Sequence, residues 1–222
     1  MAVSVVTPAA SFNLAALATV QSEIAELAGE GNASRAARKL AAASSRLASY
    51  CDRIFARQTY RETVPGYGTT GLVVMHFPVL MDPAPIIHRI SDDSLVTDWS
   101  LENPDSGVFF RASGWTSSAA RTALGDEIPG TERPAFEVEY AAGYVLPADD
   151  VEDADVTLPA HITEACIALI RFSLAEEAAI ANGQSVTLGK MSVDYGRAVD
   201  RNGVSLPAYV ANMLQSGDVR LV

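Results

Sequence analysis

Three histidines, His76, His88 and His161, are the first residues to question for chemistry. None has a second His or a Cys at the short spacing of a zinc site, and His76 and His88 stand in strand-like apolar runs. Core or surface roles are expected of them. Glu137 and Glu139 share one face of an alternating stretch, as a carboxylate pair in a hydrolase would, but alternating surface acids give the same spacing. Residues 65–71, Pro-Gly-Tyr-Gly-Thr-Thr-Gly, lie between strand-like runs and not at a helix N-terminus, where backbone N–H groups cradle phosphate. No Gly-x-Ser-x-Gly elbow, Walker loop or Gly-x-Gly-x-x-Gly occurs. Residues 148–155 hold five acids in eight positions without the Gly and the terminal Glu of an EF-hand, so a solvated acidic loop is expected there. The reading is of a protein that is not an enzyme, with no catalytic residue, cofactor or metal.

The elements that would position these residues begin with residues 33–55. Ala36, Leu40, Ala43, Leu47, Tyr50 or Cys51, and Ile54 recur at steps of four and three, one face of a helix uninterrupted by Pro or Gly. The opposite side carries Arg35, Arg38, Lys39, Arg46 and Arg53. Before it, Ser11 or Asn13 can cap a first helix reaching about Leu27, and the Gly29 and Gly31 region stops it, giving a helical hairpin. A third helix is expected from Leu158-Pro159 to about Ala181, with Ile162, Cys166, Leu169, Ile170 and Ser173 inward. Between them the period falls to two: 58–63, 72–77, 86–90, 95–101, 107–112 and 136–140 read as short strands. Residues 185–195 look extended, and 206–214 suit a short amphipathic helix.

The fold class expected is therefore α+β: a helical hairpin plus a third long helix forming an α-bundle, an inserted small antiparallel β-sheet or barrel, and a C-terminal extended arm. The boundaries are a helical core of residues 1–57 and 156–196, a β-rich insertion of 58–147 and an arm of 197–222.

Composition is that of a globular chain, 49% hydrophobic and 19% charged. No apolar run spans a bilayer, so no membrane partner is expected, and the first residues lack the basic region of a signal peptide. Cys51 and Cys166 read as buried free thiols in a reducing compartment, with a disulfide the second reading. The net charge of −11 reads against sequence-independent nucleic-acid binding. Residues 1–61 nonetheless carry a net of +3 and the remainder −14, so a basic helix on an acidic body can meet the acidic face of another copy. Arg35, Arg38, Lys39 and Arg46, facing Asp149, Asp150, Glu152 and Asp153, are the candidate subunit interface.

The order of parts carries a resemblance. A helical hairpin ends in Ala-Ser-Ser-Arg-Leu-Ala-Ser-Tyr-Cys-Asp-Arg-Ile-Phe (43–55) and leads to Thr59-Tyr-Arg-Glu-Thr63 and a strand closing on Phe77-Pro78-Val79. Phe136-Glu-Val-Glu-Tyr-Ala-Ala-Gly-Tyr144 follows, then Leu158-Pro-Ala-His-Ile-Thr-Glu-Ala165. Together these resemble the head–tail connector (head-completion adaptor) family of tailed bacteriophages and gene transfer particles, over roughly residues 11–196. Departures are the long 92–134 segment and the acidic 148–155 loop.

The resemblance implies a structural virion protein at the head–tail junction, assembled in the host cytoplasm. It implies a ring of roughly twelve identical subunits under the portal protein. That ring would line the conduit for double-stranded DNA, which passes without sequence-specific binding, and would carry a stopper or tail protein. The family's portal-docking arm matches Val204–Val222, where Leu206, Tyr209, Val210, Met213, Leu214, Leu221 and Val222 would make the contact. The alternatives are another neck protein, a stopper or tail-completion protein, or a carbohydrate-binding or hydrolytic β-domain using Trp99, Trp115, Glu137 and Glu139.

Overall fold

The computed structural model describes residues 2–119, 133–149, 156–181, 197–199 and 204–215. They form an α+β fold in two compact units, one of Met1–Ala9 with Ala56–Tyr144, the other of Ala10–Phe55 with Val145–Val222. These limits differ from the expected ones at both ends. The first residues belong with the strands, and the C-terminal segment belongs with the helices.

The β unit is built from β1 (Ala2–Thr7), β2 (Gln58–Pro65), β3 (Gly71–Val73), β4 (Ile86–Arg89), β5 (Ser94–Leu95), β6 (Ser100–Asn103), β7 (Val108–Phe110) and β8 (Pro134–Ala142). One antiparallel sheet runs β1-β2-β8-β4-β5 and a smaller one β3-β7-β6. Alternation sets the faces. Tyr60, Val64, Phe136, Val138 and Ile87 point to one side of the larger sheet, Leu72 and Phe109 come from the smaller, and all join one buried cluster with Trp115. Gly66 is required where the chain turns out of β2, because a Cβ there would lie 1.8 Å from the carbonyl oxygen of Thr116.

β1 was not expected as a strand. It pairs with β2 at a separation of more than fifty residues, Ala2 opposite Thr63, and all six of its residues are exposed. With no buried face, its sequence carries no core-facing pattern to read.

The helical unit holds α1 (Leu17–Glu23), α2 (Ala33–Tyr50), α3 (Ala160–Ala181), the antiparallel pair β9 (Arg197–Val199) and β10 (Ser205–Pro207), and α4 (Ala208–Gln215). Helix α2 buries Ala36, Leu40, Ala43, Leu47 and Tyr50, the expected stripe, and packs on α3, which buries Ile162, Cys166, Leu169 and Ile170. The pairing is antiparallel: Lys39 meets Ser173, and Ser44 meets Cys166. α2 ends earlier than expected, at Tyr50, and Asp52 follows with φ 48°.

α1 starts later than expected. Ser11 Oγ accepts the Asn13 N–H, but Leu14 donates its N–H to Ser44 Oγ at 3.0 Å and accepts the Thr163 hydroxyl at 3.0 Å. These tertiary bonds hold the backbone of Leu14 outside a helix, which begins only at Leu17. Ile24 is extended, and one 3₁₀ turn, Ala25–Leu27, completes the expected span.

The C-terminal segment departs from an extended arm. Residues 205–215 fold back as β10 and α4, and α4 packs on α3 with Leu206, Val210 and Leu214 buried. The extended reading of 185–195 lies outside the described residues.

Candidate assembly surface

The basic side of α2 is closed largely within its own subunit. Arg35 Nη2 lies 3.3 Å from Glu177 Oε2, and Lys39 reaches the other oxygen of the same carboxylate and, at 3.3 Å, Ser173 Oγ. Arg46 donates to the carbonyl oxygen of Ser205 and, at 3.4 Å, to its hydroxyl, tying α2 to β10. Hydrogen bonds from Lys39 and then Arg35 hold the Glu177 carboxyl below the usual carboxylate range. The antiparallel register brings α3 acids opposite α2 bases more than 130 residues away in sequence. Arg38 differs: it is exposed, and no partner for it occurs among the described residues.

The acidic counterpart divides. Asp149 Oδ2 accepts the N–H of Leu146 at 2.8 Å and so closes a local turn. Asp150, Glu152 and Asp153 lie outside the described residues.

Of the expected docking residues, Leu206 and Val210 are fully buried and Leu214 nearly so, which corrects their reading as a free contact surface. Their apolar faces are satisfied by α3 of the same chain. Tyr209 is half exposed, with its hydroxyl donating to the Ala168 carbonyl at 3.1 Å, and Met213 is half-buried. Leu221 and Val222 lie outside the described residues.

The pieces of the hydrolytic alternative are not gathered in one place. Glu137 and Glu139 flank Arg61 at 3.6 and 2.8 Å on the outer face of the larger sheet. Trp115 is fully buried edge-on to Phe136 and donates to the Thr70 carbonyl, while Trp99 packs edge-on to Phe109. His76 stacks on Tyr60 with ring centroids 3.9 Å apart, and burial lowers its pKa. His88 sits beside Asp93 at 3.5 Å. Among the described residues no cluster of three His, Cys, Asp or Glu side chains is placed to hold a metal, and no helix is long and apolar enough to cross a membrane. Cys51 and Cys166 are free, buried thiols.

The fold is similar to that of gene transfer agent particle chains. One, from the neck of an empty gene transfer agent particle computed with C6 symmetry, matches with a TM-score of 0.52 at 14% identity, over 100% of this chain and 96% of that one. A second, from the virion of the native particle, gives 0.51 at 14% identity with the same coverage. A third, from the neck of the native particle computed with C12 symmetry, gives 0.50 at 13% identity over 96% of this chain and 94% of that one. No family model and no curated protein matches the sequence.

One buried polar group escaped the sequence reading. Glu62 is fully buried; its Oε2 accepts the Tyr140 hydroxyl at 2.7 Å and the Met75 N–H at 3.0 Å, and Oε1 is buried without a partner. The Tyr140 oxygen in turn accepts the His76 N–H at 3.2 Å. The signal was present in the alternation Gln58, Tyr60, Glu62, Val64, which puts Glu62 on the apolar side of β2.

Proposed function

We propose that this chain is a structural neck protein of a virus-like particle, the adaptor that forms a ring beneath the portal and transforms no substrate. Copies would surround the DNA conduit and present a platform to a stopper or tail protein. The observation that carries this reading is the fold likeness, which runs along the whole chain and takes in nearly the whole length of a neck chain. A neck chain of the same fold in a particle computed with C12 symmetry favours a dodecamer. The net charge of −11 suits a conduit, since an acidic wall leaves DNA phosphates unbound and free to slide.

In this reading Arg38 is the α2 cation that meets a neighbouring copy, and residues 216–222, with Leu221 and Val222, make the portal contact from the base that α4 provides. Electron microscopy of the protein with its portal complex tests the reading: a ring beneath the portal is expected, and a position elsewhere in the particle, or at the tail side of another ring, overturns the adaptor assignment. Arg38→Glu is expected to weaken ring assembly in sedimentation while leaving the thermal melt unchanged. Unchanged assembly removes Arg38 from the contact.

A further inference from the structure

The helical unit carries a pocket and an exposed aromatic that its own subunit does not bring together. The pocket, about 360 Å³, has a floor of Ile24 and Leu174 and a wall of Ala175 and Ala178. Its rim holds two acids, Glu26 and Glu177, and two bases, Arg35 and Arg171. The four charges sum to zero, and three of them are in ion pairs: Arg35 with Glu177 at 3.3 Å, and Arg171 with Glu23 at 2.9 Å. A rim with no net charge and an apolar floor selects an uncharged, apolar guest over an ion.

Phe12 has the matching chemistry. It is 55% exposed, and the chain carries no Asp, Glu, Lys or Arg before Glu23. It is also held firmly. Two residues on, the backbone of Leu14 is bonded on one side to Ser44 of α2 and on the other to Thr163 of α3. An aromatic presented on a pinned segment loses little conformational freedom on docking. Phe12 cannot fill the pocket of its own subunit. Leu14 is fastened to α3 at Thr163, whereas the pocket lies against α3 at Leu174 and beyond, roughly 16 Å further along at 1.5 Å per residue.

A knob at one end of a bundle and a complementary pocket at the other make a head-to-tail contact, which closes into a ring when the rotation allows. We propose that Phe12 of each copy seats in the Ile24–Leu174 pocket of the next copy, and that repetition of this contact builds the ring. The likeness to neck chains of symmetric particles supports a second copy as the occupant, and two chains of net charge −11 repel least where one surface is uncharged and the other balances two acids with two bases. This inference rests on the ring reading above.

The test uses the full chain in two complementary variants. Phe12→Ala removes the knob and keeps the pocket; Ala178→Trp fills the pocket and keeps the knob, with Ala175→Phe as a second filling variant. Phe12 and Ala178 are both exposed, so unchanged far-UV spectra and melts are expected. In sedimentation velocity, with and without the portal complex as template, each variant alone is expected to raise the concentration for half-assembly about thirtyfold, as loss of a hot-spot side chain does. An equimolar mixture retains one intact knob-and-pocket pair and is expected to stop at a dimer with one copy of each variant. Wild-type assembly by either variant, or rings from the mixture, overturns the contact and leaves the ring reading standing. A wild-type chain that stays monomeric at millimolar concentration, template present, overturns both.

Discussion

Glu62 offers the sharpest test of how the β unit is held. Its carboxylate is fully buried and has two donors, the Tyr140 hydroxyl at 2.7 Å and the Met75 N–H at 3.0 Å, both on the same oxygen. Tyr140→Phe keeps the ring in place and deletes the hydroxyl. The bond lost is one to a charged group, worth about 1.5–3 kcal/mol, and the His76 N–H that bonds the same oxygen is stranded for about another 1 kcal/mol. A total near 3 kcal/mol is expected. Glu62→Gln should cost less, about 1 kcal/mol, because an amide still offers an oxygen to both donors while the buried charge disappears. In the double variant the two losses should overlap by about 0.5–1 kcal/mol, since each removes part of the same bond. Urea unfolding followed by tryptophan fluorescence isolates the effect. The chain's two tryptophans, Trp99 and Trp115, both belong to this unit, so the helical unit does not contribute to the signal. At typical slopes of about 1–3 kcal/mol per molar urea, the midpoint of Tyr140→Phe should fall by about 1–3 M. A change below about 0.5 kcal/mol, or simple additivity in the double variant, refutes the argument that this hydrogen bond anchors the sheet.

Other consequences follow from burial. Burial pushes the Cys51 and Cys166 thiols up to about 11, so both should react slowly with a thiol reagent at pH 8 in the folded chain and quickly in denaturant; fast reaction of either in the folded state contradicts its burial. Burial lowers the His76 pKa below its ordinary value near 6.5, so the unfolded chain takes up the proton first, and stability should decline as pH falls from about 6.5 through the folded value; an NMR titration above 6.5 contradicts the stacked, neutral ring. Leu214→Ala should cost about 2–5 kcal/mol in a melt followed by far-UV signal; a silent Leu214→Ala refutes α4 as part of the helical core.

What the sequence disclosed follows from the range of the forces involved. The α2 stripe was legible because Ala36, Leu40, Ala43, Leu47 and Tyr50 repeat within one element and face one neighbour, and the burial of all five follows from that period. β2 and β8 were legible for the same reason at period two. β1 was not, because its partner lies beyond both helices of the hairpin and none of its side chains is buried. The late start of α1 was equally hidden. Capping residues were present at Ser11 and Asn13, but Ser44 and Thr163 hold the backbone of Leu14 from other elements, and tertiary bonds override a local cap.

The same distinction governs the surface. Four bases on one side of α2 look alike in the sequence, yet the α3 register gives Arg35 and Lys39 a shared acid at Glu177, and Arg46 a carbonyl in β10. Only a fold that sets residue 39 against residue 173 makes Arg38 different from its neighbours. Likewise the apolar positions at 206, 210 and 214 read as a free face until α3 supplies the partner that buries them. An exposed cation or apolar side chain therefore becomes an assembly candidate only after intrachain partners are subtracted. That subtraction shifts the weight from the basic stripe and the C-terminal helix to Arg38 and Phe12, two side chains the subunit leaves exposed to solvent.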